Sequence, residues 1–222
     1  MREPRWTAVA PSEFPWEREA LDWLREQLPD AEPWLAWSNL EFIDEDGRVN
    51  EVDLLVLAPG GLFLVEIKSR PGVLSGDART WTWTTEGREY TSDNPLYLAN
   101  RKCKRLASLL KRQPSFVRSR ERLPWIEPAI FLSSTSLTSR LDSIAGAKPY
   151  QRGRPGRPGD KGIVSALYST PLVDQDGQPR LIDVRQARAV ARAIAEAGIR
   201  PQSNQRRVGD YRLEQLLEEG VN

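Results

Sequence analysis

The spacing of apolar residues near the N-terminus predicts a helix followed by a strand. In residues 12–30, apolar side chains recur every three or four positions, which is the period of a helix that buries one side. We expect this helix to begin at Ser12 or near Pro15 and to end at Pro29. Its buried stripe consists of Ala20, Leu21, Leu24 and Leu28. Residues 34–44 then have the composition of a strand.

Two runs of large apolar residues on either side of residues 59–61 predict a buried β-hairpin with charged residues at one end. A turn at this Pro-Gly-Gly sequence pairs residues whose numbers sum to about 119 or 120, so Asp53 lies across from Glu66 or Ile67. Because side chains alternate along a strand, Glu66 and Lys68 point to the same face. The pattern therefore predicts that Asp53, Glu66 and Lys68 meet at one end of the hairpin.

The rest of the chain alternates further strands and helices. Strands are predicted in residues 72–93, as a hairpin that turns at Glu86-Gly87, and in residues 125–134 and 162–169. Helices are predicted in residues 94–112, with Asn94 as the cap and Pro95 in the first turn, and in residues 181–198, ending at Gly198. This order of elements predicts an α/β fold with a mixed central β-sheet flanked by helices.

The composition narrows the chemistry that the chain can carry. With 222 residues and a net charge of +1, it suits a soluble globular protein of about one domain. The absence of histidine excludes histidine general bases, serine or cysteine triads that need histidine, and histidine zinc sites. A single cysteine excludes an internal disulfide and suits a reducing cytosol. No apolar run could span a membrane and the N-terminus lacks a signal-peptide core, so we expect a cytoplasmic location without a membrane partner.

The paired carboxylates at the end of the hairpin favour a metal site. Asp53 and Glu66 would repel each other and lose hydration at close range, and a divalent cation removes this conflict. Ligands that are all oxygen atoms suit Mg²⁺ or Mn²⁺. Lys68 can orient or deprotonate an attacking water, or balance the negative charge of a phosphate. Glu17, or less favourably Glu19, completes a cluster suited to metal-assisted phosphodiester hydrolysis if the first helix packs on the sheet.

These motifs resemble those of a known nuclease family. Asp53 followed by the sequence Glu-Ile-Lys at residues 66–68 resembles the D…ExK signature of the PD-(D/E)xK nucleases, and the details resemble the nuclease-related domain, NERD, within that superfamily. Further support comes from Glu17 in the first helix, from EVDLLVL and LVEIKS around the signature, and from the Asn-Pro pair that opens the next helix. The resemblance covers about residues 12–135 and implies a restriction-endonuclease-like core.

The resemblance also implies a role for each residue of the site. Glu17, Asp53 and Glu66 would hold Mg²⁺ or Mn²⁺ together with the carbonyl of Ile67. Lys68 would position or activate the water, so that the catalytic set is Glu17, Asp53, Glu66 and Lys68. The implied activity is that of a metal-dependent deoxyribonuclease.

Two positions differ from the pattern of the family. The family commonly has a glycine before the first glutamate, where this chain has Trp16. It also commonly has a glutamine in the helix after Asn-Pro, where this chain has Leu98. That polar group is therefore missing here or supplied by Asn100 or Lys102.

The end of the chain resembles part of a second family. Residues 208–220 resemble the first strand of a protein kinase, but no later kinase motif follows, so we expect no kinase activity from this sequence. The predicted domains are a NERD nuclease-like domain at 1–200, with its core at about 12–135 and a basic flexible loop at 146–162, and a linker with the start of a truncated kinase domain at 201–222.

This domain order resembles that of the large kinases of the phage growth limitation and BREX defence systems of bacteria. The resemblance implies that DNA is the ligand, that an attached kinase domain is a partner, and that other components of such a system are further partners. Basic residues that follow the site are candidates for contacting DNA: Lys102, Lys104, Arg105, Lys111, Arg112, Arg152, Arg154 and Arg157. The alternatives for these residues are a solvated helix face and a disordered loop.

Two other functions stay open at this point. The chain could be a catalytically inactive module of the same fold that binds DNA or a protein and regulates the attached serine/threonine kinase. It could also be an assembly domain, in which Glu66 and Lys68 form an exposed cross-strand ion pair.

Overall fold

The computed structural model describes residues 5–12, 14–119, 121–141, 148–153, 162–168, 181–201, 207–208 and 211–212. It confirms the α/β fold with mixed β-sheets flanked by helices. The strands are β1 Trp6–Ala8, β2 Leu35–Ile43, β3 Val49–Ala58, β4 Gly61–Lys68, β5 Gly72–Gly76, β6 Thr80–Thr85, β7 Arg88–Asp93, β8 Ile126–Leu132, β9 Leu137–Leu141, β10 Pro149–Tyr150, β11 Arg200–Pro201, β12 Arg207–Val208 and β13 Tyr211–Arg212. The helices are α1 Pro15–Gln27, α2 Pro95–Lys111, α3 Pro114–Val117, α4 Ile163–Tyr168 and α5 Val184–Glu196. Among these described helices, none has the length and apolar character needed to cross a membrane.

The main sheet combines antiparallel and parallel strands in the order β1-β2-β3-β4-β8-β10, and β11 also pairs with β2. Strand β3 is antiparallel to both of its neighbours, β2 and β4, whereas β8 runs parallel to β4 and β10. One hydrophobic cluster joins this sheet to α2 and α5, and a second cluster joins it to α1 and α4. Because β3, β4 and β8 contribute to both clusters, they form the buried centre of the sheet.

The hairpin of β3 and β4 has one of the two predicted registers. Leu54 pairs with Val65 and Ala58 with Gly61, so the numbers of paired residues sum to 119. The ladder ends at this Leu54–Val65 pair, and Asp53 and Glu66 are the residues directly beyond it. The hairpin therefore brings these two residues level with each other, at the end remote from the turn.

The alternation of side chains between the two clusters shifts by one residue at Asp53. Val52 packs in the same cluster as Leu55, although residues three positions apart point to opposite faces of a regular strand. The shift matches one in β2 at Asn39, which lies level with Asp53 and has a φ of 55°, in the left-handed region. As a result, Asp53 is partly exposed between the fully buried Val52 and Leu54.

A second sheet, in the order β7-β6-β5-β9, packs beside the first. Trp81 and Trp83 of β6 are buried in the cluster that also contains α2, with their ring centroids 6.5 Å apart. The predicted turn between β6 and β7 is confirmed, and Glu86 and Gly87 both have positive φ there, at 50° and 75°. The parallel pairing of β5 with β9, which completes the sheet, was not predicted.

The helix ends agree with the predicted signals. α1 ends at Gln27, two residues before Pro29. Asn94 caps α2 by accepting a hydrogen bond from the amide of Leu96 at 2.9 Å. α5 ends just before Gly198, which has a φ of 65°.

The prediction of a strand in residues 162–169 is wrong, because this segment contains α4. Ile163 and Leu167, four positions apart, are both fully buried against the sheet, and the amide of Ala166 donates to the carbonyl of Gly162. A short apolar run does not distinguish a buried strand from a buried helix. The basic loop predicted at 146–162 also contains β10, whereas its residues 146–147 and 154–161 lie outside the described part of the chain.

Asp44 ties the turn after β2 to helix α2. Its carboxylate accepts hydrogen bonds from the Arg48 amide at 2.8 Å and from the Asn50 side chain at 3.2 Å. The guanidinium of Arg105 on α2 lies 3.1 Å from the same carboxylate. Burial alone would raise the pKa of Asp44, but the Arg48 amide, Asn50 and Arg105 outweigh burial and hold the pKa below its ordinary value.

We therefore expect Asp44→Asn to lower the free energy of unfolding at pH 7 by about 1.5–3 kcal/mol, because hydrogen bonds to a charged group are lost. A lowered pKa stabilises the fold above the pKa of the unfolded state, about 4, and this contribution is lost as the pH falls through the folded pKa. The difference between the two proteins should thus shrink in acid. Urea unfolding between pH 3 and pH 7 measures it, with Asp46→Asn in the same turn as the control, and a difference independent of pH would contradict the assignment.

Candidate active site

Asp53 lies directly beyond the last backbone pair of β3 and β4. There its side-chain carboxylate, and not its backbone, binds the neighbouring strand. The Oδ2 atom accepts a hydrogen bond from the backbone amide of Ile67 at 2.7 Å. Burial and the negative charge of Glu66 raise the pKa of Asp53 to about 7, against the opposing effects of Lys68 and the Ile67 amide. A carboxylate with this pKa is poised to exchange its proton for another cation near neutral pH.

Glu66 is the most enclosed carboxylate of the site. It is 7% exposed, because β4 lies between β3 and β8 in the middle of the main sheet. Its Oε1 atom accepts a hydrogen bond from Nζ of Lys102 at 2.5 Å, which forms an ion pair beneath the surface. Burial lowers the pKa of Lys102, but the charges of Glu66 and Asp53 outweigh this effect and raise the pKa above its ordinary value. The ammonium group is therefore retained at neutral pH.

Lys68 and Glu17 bring two further charges to the same region. Lys68 is the last residue of β4 and is partly exposed. Burial raises the pKa of Glu17 on α1, a hydrogen bond with Ser12 and the charge of Lys68 oppose this rise, and the charge of Glu66 adds to it. Glu17 is thus within electrostatic reach of both β4 residues.

Glu19, the alternative to Glu17, has a different environment. It is exposed and forms an ion pair with Arg152, whose guanidinium also donates to the carbonyl of Ser133 at 2.7 Å and stacks on Trp23. The structure therefore favours Glu17 over Glu19 as the helix residue of the acidic cluster. Arg152 joins helix α1 to the segment after β8, instead of extending freely as a basic loop residue.

Lys102 is the residue of the candidate site whose position is hardest to predict from the sequence. The sequence allows it either as a DNA-contacting residue or as the polar group that replaces the missing glutamine. The structure places it inside the site, whereas Leu98 is 50% exposed. The spacing of residues along the helix predicts this position, because Lys102 falls on the buried stripe of α2 with Ala99, Cys103 and Leu106.

The other basic candidates differ in how far they are available to a ligand. Lys104 and Lys111 are exposed on α2. Arg105 is bound to Asp44 and Asn50, and Arg112 forms an exposed ion pair with Glu45 at 2.9 Å. Arg154 and Arg157 lie outside the described residues.

The carboxylate oxygen atoms of the site suit a hard divalent cation. In this structure, however, one of these carboxylates binds a lysine. Across the described residues, no three carboxylate or thiol side chains lie close enough together to hold a metal ion. Asp53 and Glu66 supply oxygen ligands of the kind that Mg²⁺ and Mn²⁺ prefer. The hydrogen bond of Ile67 to Asp53 involves its amide, and the role of its carbonyl as a metal ligand stays a prediction.

Comparison with known proteins relates the chain to one protein family and to one longer protein. The model of the family described as nuclease-related domain, NERD, matches residues 12–133. The chain is also similar to a protein described as probable kinase PglW from Streptomyces coelicolor, with 40% identity over 215 residues that make up 96% of this chain and 13% of that protein. The chain thus spans about an eighth of the length of this relative. No solved structure gives a significant match.

We expect Asp53→Asn to make the protein more stable at pH 8. A pKa raised from 3.8 to about 7 means that the fold loses stability as the pH rises through this window, because the folded state must release a proton that the unfolded state has already lost. Removing the charge should raise the free energy of unfolding at pH 8 by about 2–4 kcal/mol, since one pKa unit corresponds to about 1.4 kcal/mol, and should change little at pH 4.

Denaturant unfolding of both proteins without added metal measures this difference. Asp22→Asn, at an exposed position of α1, is the control and should have no comparable effect. An Asp53→Asn protein that is less stable than the parent at pH 8 would show that the two carboxylates do not repel each other.

Proposed function

Because this chain belongs to the nuclease-related domain family, we propose that it hydrolyses phosphodiester bonds in DNA with the help of a divalent cation. The observation that carries the proposal is the position of Asp53 level with Glu66 across the hairpin, where burial and repulsion raise the pKa of Asp53 to about 7. Such a pair favours the binding of a cation. Lys68, two residues after Glu66, adds an ammonium group at the end of the same strand.

Each residue of the site has a part in the proposed reaction. Glu17, Asp53, Glu66 and the carbonyl of Ile67 would hold Mg²⁺ or Mn²⁺. When bound, such an ion supplies positive charge that stabilises the negative charge developing on a phosphate. Lys68 would donate a hydrogen bond to the attacking water or to a phosphate oxygen, which orients the water and offsets the same charge.

DNA is proposed to approach along helix α2. This helix carries Lys102 to Glu66 and displays Lys104 and Lys111 at its surface. Exposed lysines bind backbone phosphates without a preference for sequence. A duplex or single strand bound to these lysines would lie on the outer side of the helix that carries Lys102 to Glu66.

We further propose that the domain acts as one part of a larger kinase. The relative is described as a probable kinase, and the matched region is 13% of its length. Residues 1–200 would form the nuclease-like domain, and residues 201–222 would form a linker and the start of the kinase domain. The attached kinase and other components of a phage growth limitation or BREX system would then be its partners in the cytoplasm.

The second candidate function is a catalytically inactive module that binds DNA or a protein and regulates the attached serine/threonine kinase. Two observations favour it. Lys102 binds Glu66 at 2.5 Å, and Leu98, at the position of the glutamine of the family, is 50% exposed. The charged residues of such a site would bind DNA or a protein, but the site would not hydrolyse the phosphodiester bond.

Lys68→Ala is expected to slow DNA cleavage in Mn²⁺ by about 100-fold or more, because a group that positions water or stabilises charge contributes about 10²–10⁴-fold. Cleavage of plasmid and oligonucleotide DNA is followed on gels, and EDTA should abolish it. Arg101→Ala removes an equal charge from an exposed position outside the proposed DNA contacts and should keep most of the activity. Cleavage that continues in EDTA, or at full rate in Lys68→Ala, would contradict the proposed reaction.

The double variant Lys104→Ala and Lys111→Ala is expected to weaken DNA binding in EDTA. The plot of log affinity against log salt concentration should become shallower by about 2, because each phosphate contact contributes about 0.9 to the slope. Gel shifts or fluorescence anisotropy at several salt concentrations measure it. DNA that is bound and never cut would support the second candidate function, and equal slopes for the two proteins would remove α2 from the DNA interface.

A further inference from the structure

Glu66 is paired with the ammonium group of Lys102 in the part of the chain that the structure describes. Its side chain and that of Lys102 are 9% and 10% exposed, so neither charge is compensated by bulk water. The 2.5 Å contact places the ammonium group at an oxygen atom that a metal ion would need. In this arrangement, the described residues hold no group of three metal-binding side chains.

We propose that Lys102 and a divalent cation compete for Glu66, so that the site takes up metal only when the lysine moves to another anion. The inference rests on the proposed function, since it concerns the metal site at Asp53 and Glu66. With Lys102 bound, the positive charges of Lys102 and Lys68 offset the negative charges of Asp53 and Glu66. A metal ion that arrived without displacing Lys102 would meet a site with little negative charge left to attract it.

A phosphate group is the anion that can draw Lys102 away. If the lysine remains in the site while a divalent ion binds the carboxylates, the total charge becomes positive, which favours a phosphodiester beside it. The flexible four-carbon side chain lets the ammonium group move from Glu66 to such a phosphate without a movement of α2. Metal and DNA would then each strengthen the binding of the other, because both favour the same position of Lys102.

The first test measures Mn²⁺ binding to the whole chain by calorimetry, without DNA. Lys102→Gln removes the competing charge and keeps a polar side chain, so its affinity for Mn²⁺ should be at least about tenfold higher than that of the parent, the size of a typical coupling between two sites. Arg101→Gln, at an exposed position of the same helix that has no part in the proposed site, removes the same charge and should not change the affinity. Equal or weaker binding by Lys102→Gln would overturn the proposal.

The second measurement covers the case in which Lys102→Gln unfolds because Glu66 loses its counterion. Thermal unfolding is then followed with and without about 10 mM Mn²⁺, since a ligand that binds only the folded state raises its stability. Recovery of the fold in Mn²⁺ would support the proposal, because the metal takes the place of the ammonium group. A variant that stays unfolded in Mn²⁺ would overturn it.

The third measurement separates this inference from the proposed function. An oligonucleotide with uncleavable phosphorothioate links should raise the Mn²⁺ affinity of the parent protein more than that of Lys102→Gln, and an equal rise in both would overturn the transfer of Lys102 to phosphate. Tight Mn²⁺ binding by both proteins without DNA would reject the competition and leave the nuclease proposal standing. If neither protein binds Mn²⁺, the proposed metal site and the competition both fail.

Discussion

The antiparallel register of β3 and β4 determines where the strand residues of the candidate site, Asp53, Glu66 and Lys68, lie. With paired numbers that sum to 119, Asp53 is level with Glu66, and the Ile67 amide is the donor that Asp53 reaches. A slip by one residue would send Asp53 or Glu66 to the opposite face, because side chains on a strand alternate. The apolar residues of both strands hold the register, since each face of this hairpin is buried in its own hydrophobic cluster. The packing of the core and the chemistry of the site are thus set by the same pairing.

Burial of Glu66 imposes the next condition on the molecule. A carboxylate that is taken out of water in the middle of a sheet is costly unless a cation accompanies it. The fold meets this condition with Lys102, which α2 brings from the other side of the hydrophobic cluster. The cap at Asn94 sets where α2 begins, and so it sets which of its residues face the sheet. The fold therefore balances with its own lysine the buried negative charge that the proposed metal site would use.

The sequence was sufficient for the hairpin, for the three longest helices and for the grouping of Asp53, Glu66 and Lys68, because each of these follows from local periodicity and turn residues. The short strands β1, β10 and β11 were missed, since two or three residues carry no period and their pairing depends on the rest of the sheet. The segment of α4 was assigned to a strand for a related reason, namely that a run of eight residues is too short for its apolar positions to distinguish the two structures.

The position of Lys102 could not be predicted from composition, for a different reason. A run of basic residues on a helix is typical of a solvated or phosphate-binding face, and composition alone places Lys102 with Lys104 and Arg105. The direction of each side chain around the helix distinguishes them. Lys102 points to Glu66, Arg105 to Asp44, and Lys104 to solvent. Likewise, Glu17 and Glu19 lie two positions apart, and the partner of Glu19, Arg152, is more than a hundred residues away in the chain.

The outer edge of β2 is covered by segments from distant parts of the chain. β1 pairs with residues 36–38 and β11 with residues 40–41, so the two short strands lie end to end along a single edge, on either side of Asn39. The side chain of Asn39 donates to the carbonyl of Ala10 and closes the junction on the β1 side. An uncovered edge exposes unpaired backbone groups that can recruit a strand from another molecule. Detachment of either segment would therefore leave half of this edge open to intermolecular aggregation while the hairpin beneath it stayed folded.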